Sequence, residues 1–135
     1  MLTYKPLIYL LTTFLLTLMA SSCFQLSGSG SNDIMKNTAN DSKTKKAVLF
    51  LKTGGATTDN SLQVSVIDFK ENLSSEGNGN TFTTDTDHNK TTLDSNSINL
   101  LWVTNDSLII QYDKKLRTFL KMTKVKDVGI GYELF

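Results

Sequence analysis

Short apolar segments, most of them with a period of two, dominate the chain after residue 46. Residues 47–51 form a continuous apolar run bounded by lysine and glycine residues, which is typical of a strand buried on both faces. Residues 62–66 alternate apolar and polar side chains, as a half-buried strand does. The alternation recurs in four later segments: 98–103, 108–112, 116–121 and 128–134. The pattern predicts six or seven strands between residues 46 and 135.

The links between these segments are short and turn-like. Residues 104–106 are Thr-Asn-Asp and residues 113–115 are Asp-Lys-Lys. Asn and Asp favour turns because their side chains hydrogen bond to nearby backbone and tolerate left-handed conformations. Short links also make strands that are consecutive in sequence antiparallel neighbours. We therefore predict an all-β fold, an antiparallel meander that forms a small sandwich or open barrel.

The start of the chain has the pattern of a secretory signal peptide. Lys5 precedes an apolar run over residues 7–19, which at 13 residues is shorter than a membrane-spanning helix. Small residues follow at positions 20–22, and then comes Cys23, which is the single cysteine. A charged start, a short apolar middle and a small-residue end predict a helical signal peptide over residues 1–22.

Cys23 occupies the place at which bacterial lipoprotein signals carry the residue that receives lipid. Residues 18–23, Leu-Met-Ala-Ser-Ser-Cys, resemble a lipobox, although Ala20 replaces the usual Leu. The resemblance implies acyl chains such as palmitate on Cys23, and each buried methylene strengthens such an anchor by about 0.8 kcal/mol. Two alternatives are a cleaved signal without lipid and an uncleaved anchor.

The residue after the cysteine bears on the membrane that carries the protein. Phe24 stands where an Asp commonly retains a lipoprotein in the inner membrane. The predicted location is therefore the periplasmic face of the outer membrane. In a cell with one membrane it is the outer face of the cytoplasmic membrane.

Residues 24–45 are mostly small and polar, and they include Ser-Gly-Ser-Gly-Ser at 27–31. Such a composition is typical of a flexible linker. The predicted organisation is a signal peptide over 1–22, a lipidated cysteine with a disordered tether over 23–45, and an antiparallel β domain over 46–135. Lys5 is the only charged residue before Cys23, so the rest of the chain carries 13 basic and 13 acidic residues. This balance argues against a nucleic-acid partner.

Residues 83–90 contain the most polar stretch of the predicted domain. Asp85, Asp87 and Asn89 have the D-x-D-x-N spacing that begins a calcium loop. However, Lys90 replaces the glycine of such loops and Asn96 replaces their bidentate Glu. We interpret the stretch as a solvated loop, with a weak Ca²⁺ site as the alternative.

Other candidate residues have similarly ordinary interpretations. His88 is the only histidine, so it cannot form a multi-histidine zinc site, and we interpret it as an exposed loop residue. Gly54 and Gly55 are interpreted as part of a hairpin connection. A patch of five aromatic residues for a sugar or a peptide is one interpretation, and the five are Trp102, Tyr112, Phe119, Tyr132 and Phe135. Trp102 and Tyr112, however, have the alternation of core residues, so we interpret these two as part of the core.

The predicted domain also resembles a group of small, uncharacterised, exported bacterial proteins. The resemblance spans residues 46–132 and is carried by the segments 55–58, 63–66, 79–82 and 102–112. The group has no assigned activity, so the resemblance implies no catalytic residue. Residues 43–46 depart from its pattern, because they lack the Pro-Asn-Gly-type turn that often precedes the first strand.

These features together predict a membrane-anchored lipoprotein that acts as a non-enzymatic binding or interaction module. Its expected partners are the membrane, through the lipid, and an envelope protein or a glycan. One alternative is a small hydrolase that uses loop carboxylates. Another is a domain that binds calcium weakly.

Overall fold

The computed structural model describes residues 31–55 and 58–135. The prediction of an all-β fold is confirmed, since these residues contain strands and turns and no helix. They therefore also contain no helix long and apolar enough to cross a bilayer. The nine strands are β1 (Asn32–Ala39), β2 (Lys45–Lys52), β3 (Ser61–Asp68), β4 (Phe82–Asp85), β5 (Ile98–Thr104), β6 (Ser107–Tyr112), β7 (Arg117–Lys121), β8 (Lys124–Val125) and β9 (Val128–Leu134).

The strands form a sandwich of two sheets. The first sheet has the order β1-β2-β3-β4-β7, and the second has the order β5-β6-β9-β8. The predicted antiparallel pairing of consecutive strands is correct for β2 with β3 and for the β5–β6 hairpin. It is wrong later, because β7 returns to the first sheet and β9 pairs in parallel with β6. The predicted count of six or seven strands is also too low.

The core lies between the two sheets and is built by the alternating positions. Leu49, Val64 and Phe82 of the first sheet pack in one cluster with Leu108 and Ile110 of the second. The first sheet has a smaller cluster on its outer face, where Val48, Phe50 and Ile67 are covered by Leu73. Strand β2 is thus buried on both faces, as its continuous apolar run predicts.

The predicted tether is wrong over residues 32–39, because these residues form β1. Strand β1 pairs antiparallel with β2, from Asn32 opposite Lys52 to Ala39 opposite Lys46. It also reaches the second sheet, since Trp102 Nε1 donates a hydrogen bond of 2.9 Å to the carbonyl oxygen of Thr38. The β domain therefore begins at residue 32 and not at residue 46. The predicted signal peptide, and Cys23 with the first part of the tether, lie outside the described residues.

The turn after β1 is tied to the rest of the domain by a buried asparagine. Asn40 is 2% exposed. Its Oδ1 accepts hydrogen bonds from the backbone N–H groups of Thr44 and Lys45, at 3.0 and 3.1 Å. Its Nδ2 donates to the carbonyl oxygen of Asn105 at 2.8 Å. Because a buried amide is stable only with its hydrogen bonds made, this turn and the β5–β6 turn hold each other in place.

One row of residues crosses the first sheet from edge to edge. Asn32 pairs with Lys52, Lys52 with Ser61, Ser61 with Asp85, and Asp85 with Arg117. We call the end of the sandwich that carries this row the Arg117 end. Adjacent strands are separated by about 4.8 Å, so Asn32 and Arg117 lie about 20 Å apart along the row.

Candidate binding cleft

An open cleft of about 440 Å³ lies beside β4 and β7 at the Arg117 end. Strand β7 contributes Arg117 and Phe119, which share a face because side chains alternate along a strand. Strand β4 contributes Asp85 opposite Arg117. The cleft is lined by Thr58, Asp59, Ser61, Thr83, Asp85, His88, Arg117 and Phe119.

A bidentate ion pair forms the centre of the cleft. Arg117 Nε lies 3.1 Å from Asp85 Oδ1, and Arg117 Nη2 lies 2.5 Å from Asp85 Oδ2. Asp85 is only 5% exposed. Its burial favours the neutral acid, but hydrogen bonds from Arg117 and from the backbone N–H of Asp87 outweigh burial and lower the pKa of Asp85. Asp85 is therefore a carboxylate at neutral pH that fixes the orientation of the guanidinium.

The guanidinium of Arg117 has N–H donors that its contacts with the described residues do not use. It lies over the ring of Phe119, with 4.8 Å between the guanidinium carbon and the ring centroid. Its Nη1 is 3.3 Å from Nε2 of His88. An arginine has five N–H donors, and contacts with the described residues use three of them. Two donors, one on each Nη, therefore remain for a ligand.

A left-handed turn places His88 on the rim of the cleft. Asp87, His88 and Asn89 have φ angles of 49°, 61° and 63°. The turn is closed by a 3.0 Å hydrogen bond from the N–H of Lys90 to the carbonyl oxygen of Thr86. Such a conformation costs roughly 1–2 kcal/mol per residue for L-amino acids, and Asp, His and Asn tolerate it better than most. Strained backbone of this kind is concentrated at functional sites.

The ring of His88 lies between two groups of the cleft. Its Nδ1 is 4.0 Å from Oδ2 of Asp59, while its Nε2 faces Arg117. Because Arg117 can only donate, Nε2 accepts in this contact and Nδ1 carries the proton when the ring is neutral. The side chain of His88 is 74% exposed, which confirms its interpretation as an exposed loop residue.

The three residues of the predicted calcium site have separate partners. Asp85 is paired with Arg117, and Asp87 Oδ2 accepts a 2.5 Å hydrogen bond from Lys90 Nζ. The backbone of Asn89 binds Thr86 Oγ1 at 2.8 Å. Within residues 31–55 and 58–135, no group of three or more His, Cys, Asp or Glu side chains is placed to hold a metal ion. The weak Ca²⁺ site stays a prediction, and it would have to displace two cationic side chains.

The same pairs bear on the predicted hydrolase. A glycosidase-type acid and base require one carboxyl group with a raised pKa beside one that stays ionised. In this structure the pKa of Asp87 is lowered, chiefly by its hydrogen bond from Lys90, and the pKa of Asp85 is lowered as well. Neither Asp85 nor Asp87 therefore has the raised pKa that a general acid needs, and the hydrolase stays a prediction.

The predicted aromatic patch is not assembled as a unit. Tyr112 and Tyr132 pack on Phe82, with ring centroids 4.9 and 5.6 Å away. Tyr132 donates to the carbonyl oxygen of Met122 at 2.8 Å, and burial raises its pKa to about 12. Trp102 also packs against the core, which confirms the interpretation of Trp102 and Tyr112 as core residues. Of the five aromatic residues, only Phe119 lines the cleft.

The glycines after β2 belong to the predicted hairpin connection, since β2 and β3 are antiparallel neighbours. The N–H of Gly54 donates to Asn60 Oδ1 at 2.9 Å, and the N–H of Gly55 donates to Thr58 Oγ1 at 2.8 Å. Both donors are therefore engaged within the connection and are not free to bind an anion.

Sequence reasoning did not single out Asp59 or Arg117. Neither residue has a motif around it, and Arg117 is 32 positions from its partner Asp85. The available signal was the alternation of Arg117 and Phe119 along one predicted strand. That spacing places a cation and an aromatic ring on the same face.

Acidification is expected to abolish the contribution of Asp85 to stability. The pKa of folded Asp85 lies below the ordinary value of 3.8, so this contribution is complete above pH 3.8 and is lost as the pH falls through the folded pKa. Asp85→Asn removes the charge and keeps the shape. We expect its urea midpoint to lie below that of the wild type at pH 7, and we expect the gap between the two midpoints to narrow as the pH falls below 3.8.

Acids outside the cleft do not affect this comparison. The pKa values of Asp68 and Glu71 are also lowered, chiefly by hydrogen bonds from Lys45 and Lys126 respectively, but both proteins contain these groups. They lower the stability of the two proteins alike in acid. A gap between the two midpoints that does not narrow as the pH falls below 3.8 would show that Asp85 acts through its shape and not through its charge.

Comparisons of the chain with protein-family models, with curated proteins and with solved structures found no match.

Proposed function

We propose that this chain is a lipid-anchored, non-enzymatic binding module of the bacterial cell envelope. The observation that carries the binding role is the Asp85–Arg117 pair, which holds a guanidinium with spare donors beside an exposed aromatic ring. A rigid pair with unused N–H donors suits ligand recognition. It suits proton transfer less well, because Asp85 is held in its ionised form. The anchor is supported by the lipobox-like sequence that ends at Cys23.

The anchor would also keep the cleft close to the membrane. Cys23 precedes Asn32 by nine residues, and a chain of that length spans at most about 30 Å. Asn32 and Arg117 belong to the same row at one end of the first sheet. Lipid on Cys23 would thus keep Arg117 within about 50 Å of the bilayer, and the ligand would be a component of the envelope.

Replacing the cysteine tests the anchor directly. Cys23→Ser should abolish incorporation of an alkyne-labelled palmitate analogue and move the protein from the membrane fraction to the soluble fraction. Ser22→Ala is the matched control, since it keeps a small residue and the thiol, and it should retain the label. Density-gradient separation of the two membranes then tests the predicted outer-membrane location.

Two results would contradict the anchor proposal. A Cys23→Ser protein that stays in the membrane fraction would indicate an uncleaved N-terminal anchor. A wild-type protein that is soluble and unlabelled would indicate an ordinary cleaved signal.

A further inference from the structure

We infer that the cleft at the Arg117 end binds a neutral saccharide, with a sugar ring stacked on Phe119 and its hydroxyl groups held by Arg117 and Asp59. This inference rests on the proposed binding function and names the class of ligand. It is carried by three properties of the cleft: an exposed aromatic platform, a mixture of donors and acceptors, and the presence of charges of both signs.

The platform is the ring of Phe119. The side chain is 59% exposed although it stands on a strand at the wall of the cleft. The guanidinium of Arg117 lies over this ring, 4.8 Å from its centroid, and Phe119 nevertheless remains exposed. A pyranose ring has an apolar face of C–H groups and a rim of hydroxyl groups, so it can cover the aromatic ring while its rim meets polar side chains.

The polar groups around the platform match hydroxyl groups. Arg117 offers two unused N–H donors, and the carboxylate of Asp59 is 43% exposed and accepts. The hydroxyl groups of Thr58, Ser61 and Thr83, which also line the cleft, can both donate and accept. A saccharide hydroxyl can satisfy either kind of partner, whereas a carboxylate or phosphate ligand can only accept.

The charges in the cleft disfavour ionic ligands of either sign. The positive charge of Arg117 is compensated by Asp85 at 2.5 Å, with Asp87 only 3.8 Å away. A phosphate bound at the two unused N–H donors of Arg117 would be repelled by the carboxylates of Asp85, Asp87 and Asp59. An ammonium group near Asp59 would face the guanidinium. A neutral ligand avoids both repulsions.

The arrangement is also held in place before any ligand binds. The bidentate pair orients Arg117, and the left-handed turn sets His88 against it at 3.3 Å. Little side-chain freedom is left to lose on binding, which favours a weakly interacting ligand such as a sugar.

Saccharide binding can be measured with the full chain in a detergent that has no sugar head group. The probe is an array of neutral glycans, followed by calorimetry with the best neutral tetrasaccharide and with an oligogalacturonate as the anionic comparison. We expect a neutral glycan to bind and the anionic one to be rejected. Phe119→Ala should weaken the binding of the neutral glycan about tenfold through loss of the stacking surface.

Phe135→Ala is the matched control, because Phe135 is 54% exposed but does not line the cleft. Its affinity for the neutral glycan should equal that of the wild type. Arg117→Lys keeps the charge but loses the planar fork, so it should weaken binding as Phe119→Ala does. An unchanged thermal midpoint in the Phe119→Ala protein excludes unfolding as the cause.

The inference is overturned if no neutral glycan binds, if the oligogalacturonate binds better, or if Phe135→Ala weakens binding as much as Phe119→Ala. A failure of the saccharide inference can be distinguished from a failure of the proposed binding function. The experiment places a photo-crosslinking residue at position 119, with position 135 as the control. An envelope protein crosslinked at position 119 alone, without any glycan binding, would overturn the saccharide and keep the binding module.

Discussion

A chain that begins at Lys46 is expected to be unfolded, although every strand predicted from the sequence is still present in it. The truncation removes β1 and the buried Asn40. It exposes one edge of β2, whose centre is fully buried in the complete domain. It also removes the carbonyl oxygen that accepts from Trp102 and the ammonium of Lys36, which donates to the carbonyl oxygen of Ile98 at 2.7 Å.

The size of this effect follows from the small margin of domain stability. A domain of this size is stable by about 5–15 kcal/mol, and the loss of an eight-residue strand with its sheet-to-sheet contacts exceeds that margin. The near-ultraviolet circular dichroism and the amide proton dispersion of 46–135 should be those of an unfolded chain. The matched protein 31–135 should unfold cooperatively. Cooperative unfolding of 46–135 would instead restore the interpretation of residues 32–39 as a dispensable tether.

The substitution Phe82→Ala is expected to have the second large effect. It should lower the free energy of unfolding by about 4 kcal/mol. Phe82 is fully buried on β4 and packs against the rings of Tyr112 and Tyr132. Its removal leaves a cavity that these two rings cannot fill, because the hydroxyl group of each one is hydrogen bonded to β7 or to the chain directly after it.

Urea denaturation measures this loss, with Phe135→Ala as the comparison. Phe135 is 54% exposed, so its truncation should change the stability by less than about 0.5 kcal/mol. Equal losses for the two variants would show that Phe82 is not part of a close-packed core.

The sequence predicted those strands that bury an alternating or continuous apolar face. It failed for β1, whose sequence NDIMKNTA has no alternation, because this strand is stabilised by its pairing with β2 and by side chains from β5. It also failed for β4, which is four residues long and contains three polar ones. Partners distant in sequence stabilise both strands, so a local pattern does not reveal them.

The candidate site was predictable only in part. The spacing of Asp85 and Asp87 drew attention to the correct loop, but the calcium motif assumed that one loop holds both residues. In the structure Asp85 ends a strand while Asp87 begins the left-handed turn. The partner of Asp85 is Arg117, and only the register between β4 and β7 brings the two together.

The position of β9 has a consequence for how the protein is made. This strand comes last among the nine described strands, yet it lies inside the second sheet, between β6 and β8. The second sheet therefore cannot be completed until residues 128–134 have been synthesised, and the parallel pairing of β9 with β6 requires contacts that form slowly. Until then β8 lacks its neighbour in the sheet and β6 is paired only with β5, so the second sheet is assembled late.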